Sequence, residues 1–360
     1  MASDENLSFA TRHSPLATLH MNLFTYVIRR LILTVPVLVG ITLAAFVISP
    51  AIPADPIVAS LGQRAQDAPS IVAQDRHQWG LDQPLPVQYI FYVGNLLHGD
   101  LGVSISSRRP VADDLKQYFP ATLELSTAAL LISLLIGVPL GVLSAVRRDR
   151  LPDHLARFVS LIGVSTPVFW LGLLLLLLLW YHLGLFPGPT GQLDRAVTPP
   201  PTVTGAVAVD CILTGDWPAL GNALAHLALP AIVLGAYTMG IITRMTRGSM
   251  LEVLVQDYMR TARAKGLRAG TIVLRHGLRN AIIPTLTLAG LAYGSLLSGA
   301  VLTETVFSWP GIGLYATQTA GAADFPAIMG VALLTALLYI VVNLVVDLLY
   351  AVLNPQVRLT

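Results

Sequence analysis

A single cysteine, Cys211, and only two lysines, Lys116 and Lys265, occur in this chain of 360 residues. The lone thiol excludes an internal disulfide and a cysteine-cluster metal site, and it reads as a small buried residue. A Walker A loop needs a lysine followed by serine or threonine to hold phosphate and magnesium. Here Gln117 and Gly266 follow the two lysines, so the chain carries no ATPase site of that kind. The eight histidines form neither HExxH nor an i, i+4 pair, and no GxSxG elbow occurs, which argues against zinc or serine hydrolysis. Charge is scarce as well: 12% of residues are Asp, Glu, Lys or Arg and the net charge is +2. That leaves no global basic field to recruit nucleic acid. The chain is expected not to be an enzyme, with no metal site and no cofactor of its own.

What is abundant is apolar sequence, 54% of the residues. A bilayer core of about 30 Å needs about 20 apolar residues per crossing helix. Six runs suffice: 31–49, 122–146, 157–181, 224–243, 281–303 and 326–352. With a cytoplasmic N-terminus, 16 of the 22 positive residues fall on the inner segments, counting Arg157 at the inner end of its run, as the positive-inside rule requires. The expectation is an all-α membrane protein with six transmembrane helices and both termini cytoplasmic. Its parts are a disordered or misplaced extension 1–20, an uncleaved first helix 21–50, an extracytoplasmic segment 51–121, a five-helix core 122–352 and a tail 353–360. The core includes an outer loop 182–223 and an inner loop 244–280. Acids inside the runs are few: Glu124 and Glu304 lie near outer ends, Asp347 near the inner end of the sixth run, and His226 near the start of the fourth. A midspan acid would mark a proton relay, so a stand-alone secondary carrier loses ground. Asn343 and Asp347 are read as interhelical hydrogen-bonders.

In the first outer segment, Leu85, Tyr89, Tyr92, Val93, Leu96 and Leu97 share one helix face. Such a helix lies on the membrane, caps the spans, or meets a partner through Tyr89 and Tyr92. The second outer segment, rich in Pro, Gly and Thr, reads as a surface loop without helical period. "FSWPGIG", Phe307 to Gly313, is either a plain turn between the fifth and sixth spans or a short re-entrant segment turning Phe307 and Trp309 to a pathway or partner.

"RTARAKGLRAGTIVLRHGLRN", 260–280, holds Arg and Lys but no Asp or Glu. Leu251, Leu254, Val255, Tyr258, Met259 and Ala262 make an amphipathic helix leading into it. Gly266 suits the left-handed residue that ends a helix. A second helical segment with Leu274, Leu278, Ile282 and Ile283 leads to the fifth span, with Pro284 in its entry turns. A basic inner loop can simply set topology and touch anionic lipid. A helix, glycine, helix arrangement can instead present a rigid knob to a soluble partner.

"RTARAKG", a nine-residue spacer and "HGLRNAIIP" resemble the cytoplasmic coupling loop of membrane subunits of bacterial ABC importers, in the peptide and nickel group. "GLDQPLPVQY", "LHGDLGVS", "STPVFWLG", "FSWPGIG" and "VDLLYAVLNPQVR" are similar to that group's B-type permease subunit. The resemblance covers about residues 21–358 apart from the longer outer loop at 189–222. It implies the type I ABC importer transmembrane domain and a di- or oligopeptide cargo, with nickel chelates, glutathione or another small solute as the alternative. It places Asp257, Arg260, Thr261, Ala262, Arg263, Gly266, His276, Leu278, Asn280 and Pro284 in the ATPase-coupling loop. Phe307, Trp309, Tyr89 and Tyr92 become candidates for contact with the pathway or an extracytoplasmic substrate-binding protein. The implied partners are that binding protein, a second homologous permease subunit, and two ATP-binding subunits that hold ATP and magnesium.

Overall fold

The computed structural model describes residues 23–48, 83–322 and 324–353. The expected extension 1–20 and the tail beyond 353 lie outside those residues, as does most of the first half of the outer segment. Among the described residues the regular elements are helices, with one isolated bridge between Val103 and Pro110. In chain order they are α1 (Leu23–Ile48), α2 (Leu85–Leu97), α3 (Val111–Val146), α4 (Leu151–Ser165), α5 (Val168–Leu175), α6 (Val207–Thr214), α7 (Trp217–Leu254), α8 (Asp257–Ala264), α9 (Arg279–Gly299), α10 (Val301–Phe307), α11 (Ile312–Gly321) and α12 (Phe325–Leu353). A π-helical stretch extends α5 over Leu176–His182, and a short helical turn, Ala269–Thr271, followed by a π-helical stretch over Ile272–Leu278 leads into α9. By length and composition four described helices can cross a bilayer: Val111–Val146, Trp217–Leu254, Ala269–Ser298 and Phe325–Val346. α4 and α5 make a fifth if the bent pair counts as one span.

The helices depart from the expected runs in four places. α3 starts at Val111, not 122, because its first turns are polar yet still helical, with Asp113 and Asp114 favourably placed at the N-terminus. The run 157–181 is not one straight helix: the chain bends by 109° between α4 and the arm Val168–His182. Pro167 pushes Thr166 into the extended region (φ −89°, ψ 128°) and has no N–H to continue the ladder. The outer loop is not free of helix, since α6 lies within it, too short for a period to show. The fourth run 224–243 is only the middle of α7, whose 38 residues span about 57 Å, almost twice a bilayer core. Asp216 starts α7 by accepting the Ala219 N–H at 3.0 Å.

α7 is the central helix, packed on α3, α4 and α9. The crossings are close because small residues face one another: a Cβ on Gly141 would lie 2.6 Å from Thr246 Cβ, and one on Gly240 would lie 2.7 Å from Ser160 O. α9 packs in turn on α12, and α12 on α1. α2 leans on α1, where the Tyr89 and Thr42 hydroxyls share a 2.8 Å hydrogen bond and Phe46 packs against Tyr89 and Tyr92. Burial, then the neighbouring Tyr89, push the Tyr92 hydroxyl up to about 12.

Charged groups fasten the two segments expected to lie outside. Buried Asp324 accepts from Ser104 Oγ (2.6 Å) and the Ser106 N–H (2.8 Å), clamping the "LHGDLGVS" turn to the start of α12. In the second outer loop, Asp210 accepts the N–H groups of Val203, Thr204 and Gly205 and the Thr204 hydroxyl. Burial pushes its carboxyl up, but these donors outweigh that and hold it below the usual carboxylate range. Glu124 of α3 receives the Ala208 N–H (2.7 Å) and Gln192 Nε2 (2.9 Å). The loop is therefore tied to α3, and Asp194 ties it to Asn222 and His226 of α7.

Candidate functional site

The amphipathic run before Gly266 is two helices, not one. α7 ends at Leu254, Gln256 turns extended (φ −67°, ψ 152°), and α8 starts at Asp257. The break separates the expected face: Val255 and Tyr258 are exposed, while Met259 is fully buried and Ala262 nearly so, packed with Ile272. Those two side chains clamp α8 onto the π-helical stretch below α9. Asn280 Nδ2 donates to the Tyr258 hydroxyl at 2.9 Å, and Arg263 donates to the Leu254 carbonyl at 3.2 Å. α8 is thus attached both to the end of α7 and to the start of α9.

The end of α8 is a Schellman motif. Gly266 adopts φ +72°, its N–H donates to Arg263 O (3.0 Å), and the Leu267 N–H donates to Ala262 O (3.4 Å). A Cβ at Gly266 would meet nothing within 4 Å. Asp257, Arg260, Thr261, Arg263 and residues 264–270 are exposed, so the tip projects from the helices as a mostly basic knob. The Arg260–Asp257 pair at 3.4 Å is fully solvated, with side chains 73% and 95% exposed, and contributes little. His276 and Leu278 lie half-buried in the π-helical stretch, and Pro284 sits inside α9. The expected coupling residues therefore form a compact group from Asp257 to Asn280, with Pro284 one turn beyond.

A buried ion pair lies at the same end of the bundle. Asp153 of α4, fully buried, accepts Arg247 Nε (2.8 Å) and a second guanidinium nitrogen (2.9 Å). Ser144 Oγ of α3 and the Asp149 N–H also donate to it, and Arg157 Nε lies 3.5 Å from the same carboxylate. This bidentate arrangement joins α3, α4 and α7 about two turns before the end of α7. Sequence reasoning counted Arg247 only as a topology charge and passed over Asp153, because nothing in the spacing signals a partner 94 positions away.

"FSWPGIG" forms a turn with a buried carboxylate inside it. Ser308 is left-handed (φ 52°), and Glu304 accepts the Gly313 and Leu314 N–H groups (2.7 and 3.0 Å) and the Thr122 hydroxyl (2.6 Å). Glu304 thereby caps α11, and Gly311 and Gly313 are small where the carboxylate must pass. Trp309, 1% exposed, donates Nε1 to Ala121 O at 2.8 Å, and Phe307 is buried against Leu176, Leu229 and Val233. Within this chain both aromatics face the core. Tyr89 and Tyr92 are half-buried against α1.

A set of helices long and apolar enough to cross a bilayer, with an exposed and mostly basic tip, defines a membrane protein. Residues 137–359 match the family described as binding-protein-dependent transport system inner membrane component, and residues 23–126 match the family's N-terminal region. The chain belongs to this family of inner membrane permease components. It is 51% identical to a probable D,D-dipeptide transport system permease protein of Escherichia coli (strain K12) over 89% of this chain and 94% of that relative. It is 46% identical to a di/tripeptide transport system permease protein of Pseudomonas aeruginosa (strain UCBPP-PA14) over 93% and 99%. It is 38% identical to an oligopeptide transport system permease protein of Bacillus subtilis (strain 168) over 92% and 99%.

Proposed function

We propose that this chain is one of two unlike permease subunits of an ATP-driven importer of di- and oligopeptides. Two separate ATPase subunits hold ATP and magnesium and drive it, and an extracytoplasmic binding protein loads it. The observation that carries the reading is the α8 knob, which projects exposed and basic yet is fastened to both neighbouring spans. Closure of the ATPase dimer presses on residues 257–268. Met259 and Ala262 transmit the push to the π-helical base of α9, and Arg263 and Leu254 transmit it to α7. The Asp153–Arg247 pair then carries α3 and α4 along with α7. This is a packed element with two arrangements, biased by a ligand bound elsewhere.

The six-span topology puts α1 first and the bent α4–α5 pair third, with both termini and α8 cytoplasmic. It rests on the 16 of 22 positive residues assigned to the inner side. Two measurements test the proposal. Membranes holding this subunit, its sister permease, the ATPase subunits and the binding protein should take up labelled dipeptide only with ATP, and uptake without ATP would refute the energised mechanism. A cysteine placed at Ala264 should resist an impermeant thiol reagent added to intact cells, and rapid labelling would refute the orientation.

A further inference from the structure

α9 presents three faces. Ala281, Thr285 and Ala289 are buried on one of them, with Thr285 hydrogen-bonded to Thr246 of α7. Gly290 and Gly294 admit Val346 and Tyr339 of α12 on another. The third carries Asn280, Pro284, Thr287, Leu291, Ser295 and Ser298, spaced 4, 3, 4, 4 and 3, which is one continuous stripe along a helix. Asn280, Pro284, Leu291 and Ser295 on it are exposed in this chain.

The composition of this stripe sets it apart from the lipid-compatible surfaces. The outward residues of α3 include Leu131, Leu135 and Ile136, as hydrocarbon demands. The α9 stripe instead holds an amide, three hydroxyls and a proline that cannot donate to the Asn280 carbonyl one turn back. Its inner half borders a groove of about 420 Å³ closed on one side by Met245 of α7. No charged residue lines the groove.

We infer that this α9 stripe is the chain's wall of the translocation pathway and contacts the backbone and side chains of the passing peptide. The inference rests on the peptide-importer reading. Thr287 and Ser298 donate to carbonyls of their own helix and Asn280 donates to Tyr258, so their oxygens are left to accept from amide N–H groups beside Ile283, Leu288 and Leu291, which suits a cargo that is part amide and part hydrocarbon. Because no charge is present to anchor the peptide's ends, contact stays weak and tolerant of sequence, as transit requires. The wall is also connected to the knob, since Asn280 at its inner end is the residue that hydrogen-bonds Tyr258 of α8.

The test uses the complete importer carrying Cys211→Ala, so that an introduced cysteine is this subunit's only thiol. Thr287→Cys, Leu291→Cys, Ser295→Cys and, on the lipid-compatible face, Leu135→Cys are each exposed to a negatively charged methanethiosulfonate reagent. Labelling of this subunit and dipeptide uptake are then measured. The stripe cysteines should react and lose uptake on reaction, while Leu135→Cys stays unreacted and active. Stripe cysteines as inert as Leu135→Cys would mean that lipid or the sister subunit covers the face, and would overturn the inference. So would reaction without loss of uptake. Failure of the parent importer, with Cys211 in place, to take up peptide would instead strike the cargo assignment, while the reactivity pattern still reads whether the wall faces water.

Discussion

Replacing Gly266 separates two reasons for a glycine at the tip of the knob. At φ +72° a residue with a Cβ pays about 1–2 kcal/mol, and a β-branched one approaches the upper end of about 1–3 kcal/mol. The site is open within the chain, so that cost is wholly conformational. Against it stands the attachment of α8. Burial of Met259 is worth about 1.5–3 kcal/mol and the Tyr258–Asn280 bond about 1 kcal/mol. Valine would thus consume a large share of what holds α8 in place, and each 1.4 kcal/mol lowers the docked population about tenfold. Asparagine tolerates the left-handed region but is as bulky as valine. In reconstituted importer, Gly266→Asn should keep dipeptide uptake and stimulation of ATP hydrolysis by loaded binding protein near the parent's. Gly266→Ala should fall between, and Gly266→Val should uncouple. If asparagine is as harmful as valine, the glycine is required for close approach of the ATPase surface, and the conformational argument fails. If valine is silent, the knob only sets topology.

Arg247→Ala leaves the Asp153 carboxylate buried without its main partner and should cost about 3–5 kcal/mol, seen as a lower unfolding temperature of the solubilised subunit. The double variant Asp153→Asn, Arg247→Met should recover part of that loss, and a double variant no better than the single would contradict the reading. Gly311→Ala places a methyl on the Glu304 carboxylate and should destabilise by about 1–3 kcal/mol in the same assay, whereas Gly221→Ala, with open space around it, should not. Because the Asp210 pKa is lowered in the folded protein, its contribution is present above the unfolded value of about 3.9 and declines as pH falls through the folded one. Protection of the 182–223 loop from an acid-active protease should therefore persist at neutral pH and weaken below about pH 4, and Asp210→Asn should weaken it at neutral pH. The purified subunit alone should show no ATP turnover, and activity should appear only with the ATP-binding subunits.

Sequence reasoning placed the helical segments and the glycine turn of the basic loop because its signals are local. The helix period, the glycine and the Asn280 tail lie within about thirty positions, and the structure brings Asp257 to Asn280 together as one group. It misread the break between α7 and α8, because Val255 and Gln256 fit a helical pattern and the extended Gln256 is chosen by docking of Met259 against Ile272. It read the 157–181 run as one crossing helix because hydropathy has no direction, although Pro167 stood in the run. The outer loop looked irregular because α6 is only eight residues long and its order comes from Asp210 and Glu124.

The amino-acid sequence by itself determined that the chain lives in a bilayer, where the long apolar runs fall, and that the tip at Gly266 is basic and turned. Each follows from hydrophobicity, charge or backbone preference over a few neighbouring residues. Only the tertiary structure decided which carboxylates are structural. Asp153 with Arg247, Glu304 with Thr122 and the start of α11, and Asp324 with Ser104 pair residues that are distant in sequence or meet only through a turn. It also decided which face of α9 is left uncovered. In a chain whose spans are almost uniformly apolar, hydrophobicity cannot tell a helix face packed on another helix from one that faces lipid or water, and that choice is made by the close crossings of small residues.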